Sequence, residues 1–299
     1  MRLIEYTLEK MRTRIHVWGG LGSQLYAFAL LLTLQKRYPT RKFKIVFHTG
    51  GVTERQPEIV PLIKNLCTWV VQHDFQKSHS ELENQTLKQS LNLDPNFKIH
   101  LKNGLLKFGF VKLCNESFPL LYPWTFSIRG HYRHLSVPNE VLVEIFSTIN
   151  SQIQEIKVLR RCSVHFRLGD LIGLKQTISP GILKKLLGEI AGYEGVVTKI
   201  DIYSDSPELA QQMLVRADAY SEFTFPELDI WPTLINCLGS RYFIGTNSKI
   251  SYWVSYLRLS FDAKAFTQLP ADLKSDFENT LGDLSKYDNL TFYPAEYAG

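Results

Sequence analysis

Apolar and polar positions fall into two alternating rhythms along this chain. Short apolar runs of strand length end in glycine or small polar residues, and longer stretches with helical spacing begin there. Ile15 to Trp18 predicts the first strand, followed by the loop Gly19-Gly20-Leu21-Gly22-Ser23-Gln24. A helix from Leu25 to Tyr38 stops at Pro39, and Phe43 to Phe47 predicts the next strand. That order reads as a parallel βαβ unit. Asn103-Gly104, between apolar segments, predicts a hairpin turn. A strand over Thr125 to Ile128 and a helix from Asn139 to Ile153 complete the first half.

The second half repeats one arrangement three times. A strand over Ser163 to Phe166 runs into Arg167-Leu168-Gly169-Asp170, ahead of a helix capped by Ser179 and Pro180. A strand over Lys199 to Tyr203 runs into Ser204-Asp205-Ser206-Pro207-Glu208, which opens another helix, with Ser206 as its expected cap. A helix from Asp229 to Leu238 ends at Gly239. The strand Arg241 to Ile244 then reaches Gly245-Thr246-Asn247-Ser248 and a helix from Lys249 to Leu259. Strands that end in small polar residues opening a helix predict a doubly wound α/β fold, which binds ligands at the carboxyl ends of its strands. The expected division is into residues 1–150 and 151–299, with a soft boundary between Ser136 and Gln154.

Composition narrows the classes without choosing among them. The 299 residues are 44% hydrophobic and 21% charged, ordinary for a folded protein of two domains. A net charge of +5 without a dense Lys/Arg run gives nucleic-acid binding little support. The same modest charge fits an enzyme handling phosphates, a surface working against an anionic membrane, or simply a solvated basic face. Cys67, Cys114, Cys162 and Cys237 lack metal-ligand spacing and read as free thiols in a reducing compartment. The charged N-terminus has no signal-length apolar core, and the run Leu25 to Leu34 is too short to span a bilayer. The expected location is cytoplasmic, with peripheral contact on the inner face of the membrane compatible with the charge. Met11 is an alternative start.

Several strings could carry chemistry, and each has a plainer explanation. The glycines at 19, 20 and 22 let a ligand approach a helix N-terminus, where N–H groups and the helix dipole favour an anion; they also permit tight strand–helix packing. As a dinucleotide fingerprint the loop fails, because Leu25 holds the third glycine position and His48 stands where an acid is expected. In His165-Phe166-Arg167-Leu168-Gly169-Asp170, alternation sends His165 and Arg167 to one side. A guanidinium there could grip two phosphate oxygens and steady a departing diphosphate, or pair with Asp170 to hold the loop. Thr246, Asn247 and Ser248 could cap their helix or offer hydroxyls and N–H groups to a phosphate. Asp229 could favour its helix dipole or accept two hydrogens from a guanine edge. No G-x-S-x-G elbow, Walker loop, H-E-x-x-H or D-x-D string competes.

Taken in order, these strings resemble the bacterial α-1,2-fucosyltransferases and, more remotely, the α-1,6-fucosyltransferases. Gly19 to Gln24 is similar to the family's G-G-L-G-N-Q loop, with Ser23 for asparagine. His165 to Asp170 is similar to its H-x-R-R-x-D motif, and Tyr203 to Glu208 to its F-S-D-D-P-E string. Asn247 to Trp253 resembles the closing N-S-S-F-S-W-W segment, and Gly130-His131-Tyr132 falls where the family has a G-Y-W or G-Y-F element.

The resemblance implies a GT-B fold, two Rossmann-like domains facing a central cleft, the first taking the acceptor and the second the donor. It implies an inverting transfer from a GDP-sugar to a glycan or lipid-linked oligosaccharide in surface-polysaccharide synthesis, such as O-antigen, with no metal or other cofactor. Arg167 would bind the pyrophosphate, and His165 and Asp229 the guanosine. Gly20, Gly22 and Gln24 would lie near the diphosphate or sugar, with Asp205 in the donor site and Thr246, Asn247 and Ser248 closing over the phosphates. Asp170 is the nearest candidate for the base, or orients the loop. Leu168 replaces the family's second arginine, a loss of about 2–3 kcal/mol at a buried phosphate unless Lys175 or Lys249 substitutes.

Overall fold

The computed structural model describes residues 12–49, 56–72, 104–114, 117–130, 132, 135–151, 159–173, 176–192, 199–214 and 222–297. The chain divides into two packed units, Met1–Val141 and Leu142–Gly299.

The first unit is built on β1 (Thr13–Trp18), α1 (Leu21–Arg37), β2 (Phe43–His48), α2 (Val60–Ile63), β3 (Thr68–Gln72), β4 (Val111–Leu113) and β5 (Ser127–Arg129). Its strands pair in the order β3-β2-β1-β5-β4, every neighbour parallel. α1 is apolar nearly all round and buries Leu25, Tyr26, Phe28, Leu30, Leu31 and Leu34, as a helix enclosed by its own unit must. It begins four residues before the sequence pattern suggests, so Gly22, Ser23 and Gln24 belong to its first turn. The expected hairpin turn at Asn103-Gly104 falls partly outside the described residues; Gly104 opens one helical turn over residues 104–107, and β4 pairs parallel with β5. Asn103 itself lies outside the described residues.

After α3 (Asn139–Ser151), the second unit runs β6 (Leu159–His165), α4 (Gly169–Gly173), α5 (Pro180–Gly192), β7 (Lys199–Tyr203), α6 (Pro207–Leu214) and β8 (Glu222–Thr224). It continues with α7 (Ile230–Gly239), β9 (Ser240–Gly245), α8 (Lys249–Phe261), β10 (Phe266–Pro270), α9 (Lys274–Leu281) and β11 (Leu290–Tyr293). The sheet order is β11-β10-β9-β6-β7-β8, again all parallel. β6 lies between β7 and β9, and its residues Cys162, Val164 and His165 are buried, as expected of a strand covered on both faces. Both units are thus parallel-sheet, Rossmann-like α/β folds. β3, β8, β10, β11 and α9 have no counterpart among the elements expected from the sequence.

One buried cation ties the second unit together. Arg258 on α8 is 5% exposed, and its guanidinium donates to the backbone oxygens of Cys237, Leu238, Ser240, Arg241 and Phe266. These carbonyls end α7 and flank β9 and β10, so the charge sits against the negative end of a helix. Burial lowers its pKa to about 10, which keeps it charged.

All four cysteines are free thiols. Burial pushes the Cys114 and Cys162 thiols up to about 12, so they are inert packing groups. Among the described residues no helix is long and apolar enough to cross a membrane.

Candidate functional site

In a parallel sheet every strand delivers its following loop to the same edge, so β6, β7, β8 and β9 bring four loops to the carboxyl edge of the second unit. Arg167, Asp205, Asp229, Thr246, Asn247 and Ser248 are all on those loops, and His165 is the last residue of β6.

His165 ends β6 and is 5% exposed. Its Nδ1 lies 3.0 Å from Ser251 Oγ and 3.1 Å from Ser248 Oγ. Two hydroxyls on one ring nitrogen satisfy it as donor or acceptor. Burial, and then the Arg167 charge, lower the imidazole pKa from 6.5 to about 3, so the ring is neutral at physiological pH. Ser248 is the N-cap of α8, its side chain accepting from Ser251 N. Ser251 Oγ accepts from Thr246 N at 3.1 Å. Thr246 Oγ1 donates to the His165 carbonyl at 2.8 Å and accepts from Arg167 N at 3.1 Å. Asn247 Oδ1 accepts from the Tyr252 hydroxyl. The His165 ring, the α8 cap and the start of the Arg167 loop are therefore one hydrogen-bonded frame.

Arg167 leaves that frame toward solvent, its side chain 25% exposed. Its Nε is 3.1 Å from Asp205 Oδ2, while Asp205 Oδ1 accepts from Leu168 N at 2.9 Å. Asp205, from the β7 loop, thus holds this loop; the Asp170 side chain lies outside the described residues, although its backbone is in α4. Gly169 is required here, because a Cβ at that position would overlap the Asp205 carboxylate. The neighbouring loop is stiffened by Ser204, whose Oγ accepts from Ser206 N.

Leu168 explains the departure from the family string. Its side chain is fully buried with Phe166, Ile178, Leu183 and Ile202. Position 168 faces the core, so a cation there would meet hydrocarbon. Lys175 lies outside the described residues, and Lys249 is the first residue of α8.

Asp229 is exposed and stands at the N-cap position of α7 without a side-chain cap bond. Its carboxylate is presented at the same sheet edge, beyond β8.

In the first unit, Gly20 is the N-cap of α1 and Gly22 is buried in the helix. Gln24 is 2% exposed. Its Nε2 donates to the carbonyls of Gly19 and Gln56, and its Oε1 accepts from Ile59 N. Both amide hydrogens and the oxygen are engaged by backbone.

The carboxyl edge of this sheet holds a cluster the sequence pattern did not reveal. His16 Nδ1 and His48 Nε2 are 2.9 Å apart, and the Trp18 and His48 rings stack at 4.3 Å between centroids. Parallel pairing sets Trp18 opposite His48, and the period of two puts His16 on the same face. The Tyr132 hydroxyl donates to the His16 carbonyl, and Tyr132 holds φ at 56°, costly for an aromatic residue. Burial, Arg129, His48 and Arg14 lower the His16 pKa to about 3. Ser251 was likewise missed, though its spacing of three from Ser248 was the available signal. Among the described residues no three His, Cys, Asp or Glu side chains assemble as a metal site.

No protein-family model and no curated protein sequence match the chain. Among solved structures, E. coli heptosyltransferase WaaC with ADP is 11% identical at a TM-score of 0.48, covering 96% of this chain and 94% of that one. NodZ α-1,6-fucosyltransferase soaked with GDP-fucose is 12% identical at 0.39, covering 82% and 92%. E. coli ADP-heptose lps heptosyltransferase II is 11% identical at 0.45, covering 94% and 90%. With TM-scores this low, the fold rests on the strand pairing and the chemistry on the residues described above.

Proposed function

We propose that the chain is a glycosyltransferase that moves a hexosyl or deoxyhexosyl group from a GDP-sugar to a hydroxyl of a glycan or lipid-linked oligosaccharide, in surface-polysaccharide synthesis. The observation that carries this reading is the Arg167 guanidinium, held by Asp205 beside the turn that opens α8. A helix N-terminus leaves N–H groups without intrahelical acceptors, and a cation next to them favours a diphosphate. The motif resemblance points the same way, and the GT-B arrangement belongs to this proposal.

In the proposed reaction an acceptor hydroxyl attacks the anomeric carbon. The bond from that carbon to the diphosphate oxygen breaks, and GDP departs with the electron pair. The acceptor proton passes to a base, assigned to Asp170 on α4. Arg167 stabilises the charge growing on the leaving oxygen, an effect usually worth several kcal/mol when the donor is fixed in advance (about 3–4). His165, with Nδ1 held by the two serines, offers Nε2 to the nucleotide. Asp229 accepts two hydrogens from the guanine edge. The first unit takes the acceptor.

The test is a panel of nucleotide sugars read by nucleotide release, with thermal shifts for free GDP and UDP. GDP should raise the melting temperature more than UDP does, and a GDP-sugar should release GDP. Equal shifts would defeat the guanine assignment. Absence of any release would favour a binding protein over an enzyme.

A further inference from the structure

We infer that the segment around Phe108 and Trp124 docks the protein onto an anionic lipid surface. Phe108 and Leu120 are each 64% exposed, Trp124 41% and Tyr122 38%. Phe108, Tyr122 and Trp124 form one patch: the Tyr122 and Trp124 rings stack at 5.3 Å, and the Trp124 indole donates to the Phe108 carbonyl at 2.8 Å, with Leu120 two residues before Tyr122 in the chain. Exposed aromatic and aliphatic groups gathered in this way mark an interaction surface rather than scattered surface residues.

The patch is held rigidly. Arg41 donates to the carbonyls of Tyr122, Pro123 and Thr125. The Thr125 hydroxyl donates to Gly109 O and accepts from Tyr122 N. Gly109 lets the two strands of chain approach, since a Cβ there would overlap the Tyr122 ring. The apolar groups are therefore presented to solvent by a fixed frame, not by a loop that could fold them inward.

Charge selects the partner. Lys112 Nζ lies 4.3 Å from the Tyr122 ring centroid, Lys107 adjoins Phe108 in the chain, and Arg41, which holds the Tyr122 carbonyl, is followed by the exposed Lys42. Residues 104–126 carry Lys107 and Lys112 against one acid, Glu116. Trp and Tyr rings with lysines around them suit the headgroup layer of a bilayer rich in anionic lipid. A sugar platform fits less well, because the indole N–H is already given to Phe108 O. A second copy of the chain would set cations against cations across a two-fold contact.

The test is sedimentation of the full chain with phosphatidylglycerol–phosphatidylcholine vesicles and with phosphatidylcholine vesicles alone. We expect binding to the anionic vesicles, weakened by salt, and at least about tenfold weaker binding for the Phe108→Glu, Leu120→Glu double variant. Should that variant fold poorly, Lys42→Glu with Lys107→Glu, both on exposed side chains, should weaken binding by at least about tenfold. No sedimentation of the wild type, or equal sedimentation of variants with an unchanged melting temperature, overturns the inference. So does a dimer that the double variant dissociates, or oligosaccharide binding lost in that variant without any vesicle binding. Donor turnover is not involved, and the result leaves the proposed transfer reaction unaffected.

Discussion

Arg167 Nε lies 3.1 Å from Asp205 Oδ2, and the other oxygen of that carboxylate accepts the Leu168 N–H. The carboxylate thus aims the guanidinium and fixes the backbone behind it in one contact. A partly exposed pair of this kind contributes under about 1 kcal/mol to stability. Its value is in orientation.

Arg167→Ala should therefore abolish nucleotide release while the thermal unfolding midpoint barely moves. Arg167→Lys should recover only part of the activity, because an ammonium cannot meet Asp205 and a diphosphate with a planar fork. Near-normal release by the alanine variant refutes the assignment.

Gly169→Ala tests the frame without touching a charge. The new methyl displaces the Asp205 carboxylate from Leu168 N. Loss of that hydrogen bond should destabilise the second unit by about 1–3 kcal/mol and weaken donor binding together. Denaturant midpoints and donor titrations read the two effects.

Acid should unfold the protein through its neutral histidines. His16 and His165 titrate near 3 in the folded chain, against 6.5 for an ordinary imidazole. Between those values the unfolded chain binds protons that the folded one excludes, so stability rises with pH across this window and is fully present above 6.5. Urea midpoints measured down the pH scale should fall below that value. The slope should flatten in His165→Gln.

Arg258→Met leaves five carbonyl groups without their donor. The expected loss is about 3 kcal/mol or more, and Arg258→Lys should recover little because one ammonium cannot span the carbonyls. Unfolding of the second unit, followed by Trp231 and Trp253 fluorescence, checks it.

Much of the second unit was legible because strand, small polar residues and helix succeed one another there. β7 and the helix after Ser248 match the expected spans closely. The glycine loop misled, since Gly22 to Gln24 look like loop residues yet are the first turn of a helix buried in its unit. Gln24 could be named but not interpreted: only packing shows that its amide holds Gly19, Gln56 and Ile59. Asp205 reaches Arg167 from a neighbouring strand, distant in sequence, and no local pattern shows that contact. His16 and His48 met through strand register, which no local pattern encodes.

The place of β6 has a consequence for synthesis. Its two neighbours are β7, which follows soon after, and β9, which ends only at Gly245. A nascent chain emerging through β8 carries this central strand with one side unclosed, a ready template for intermolecular pairing. Translation pausing before residue 245 would prolong that interval, and chaperone engagement is to be expected there.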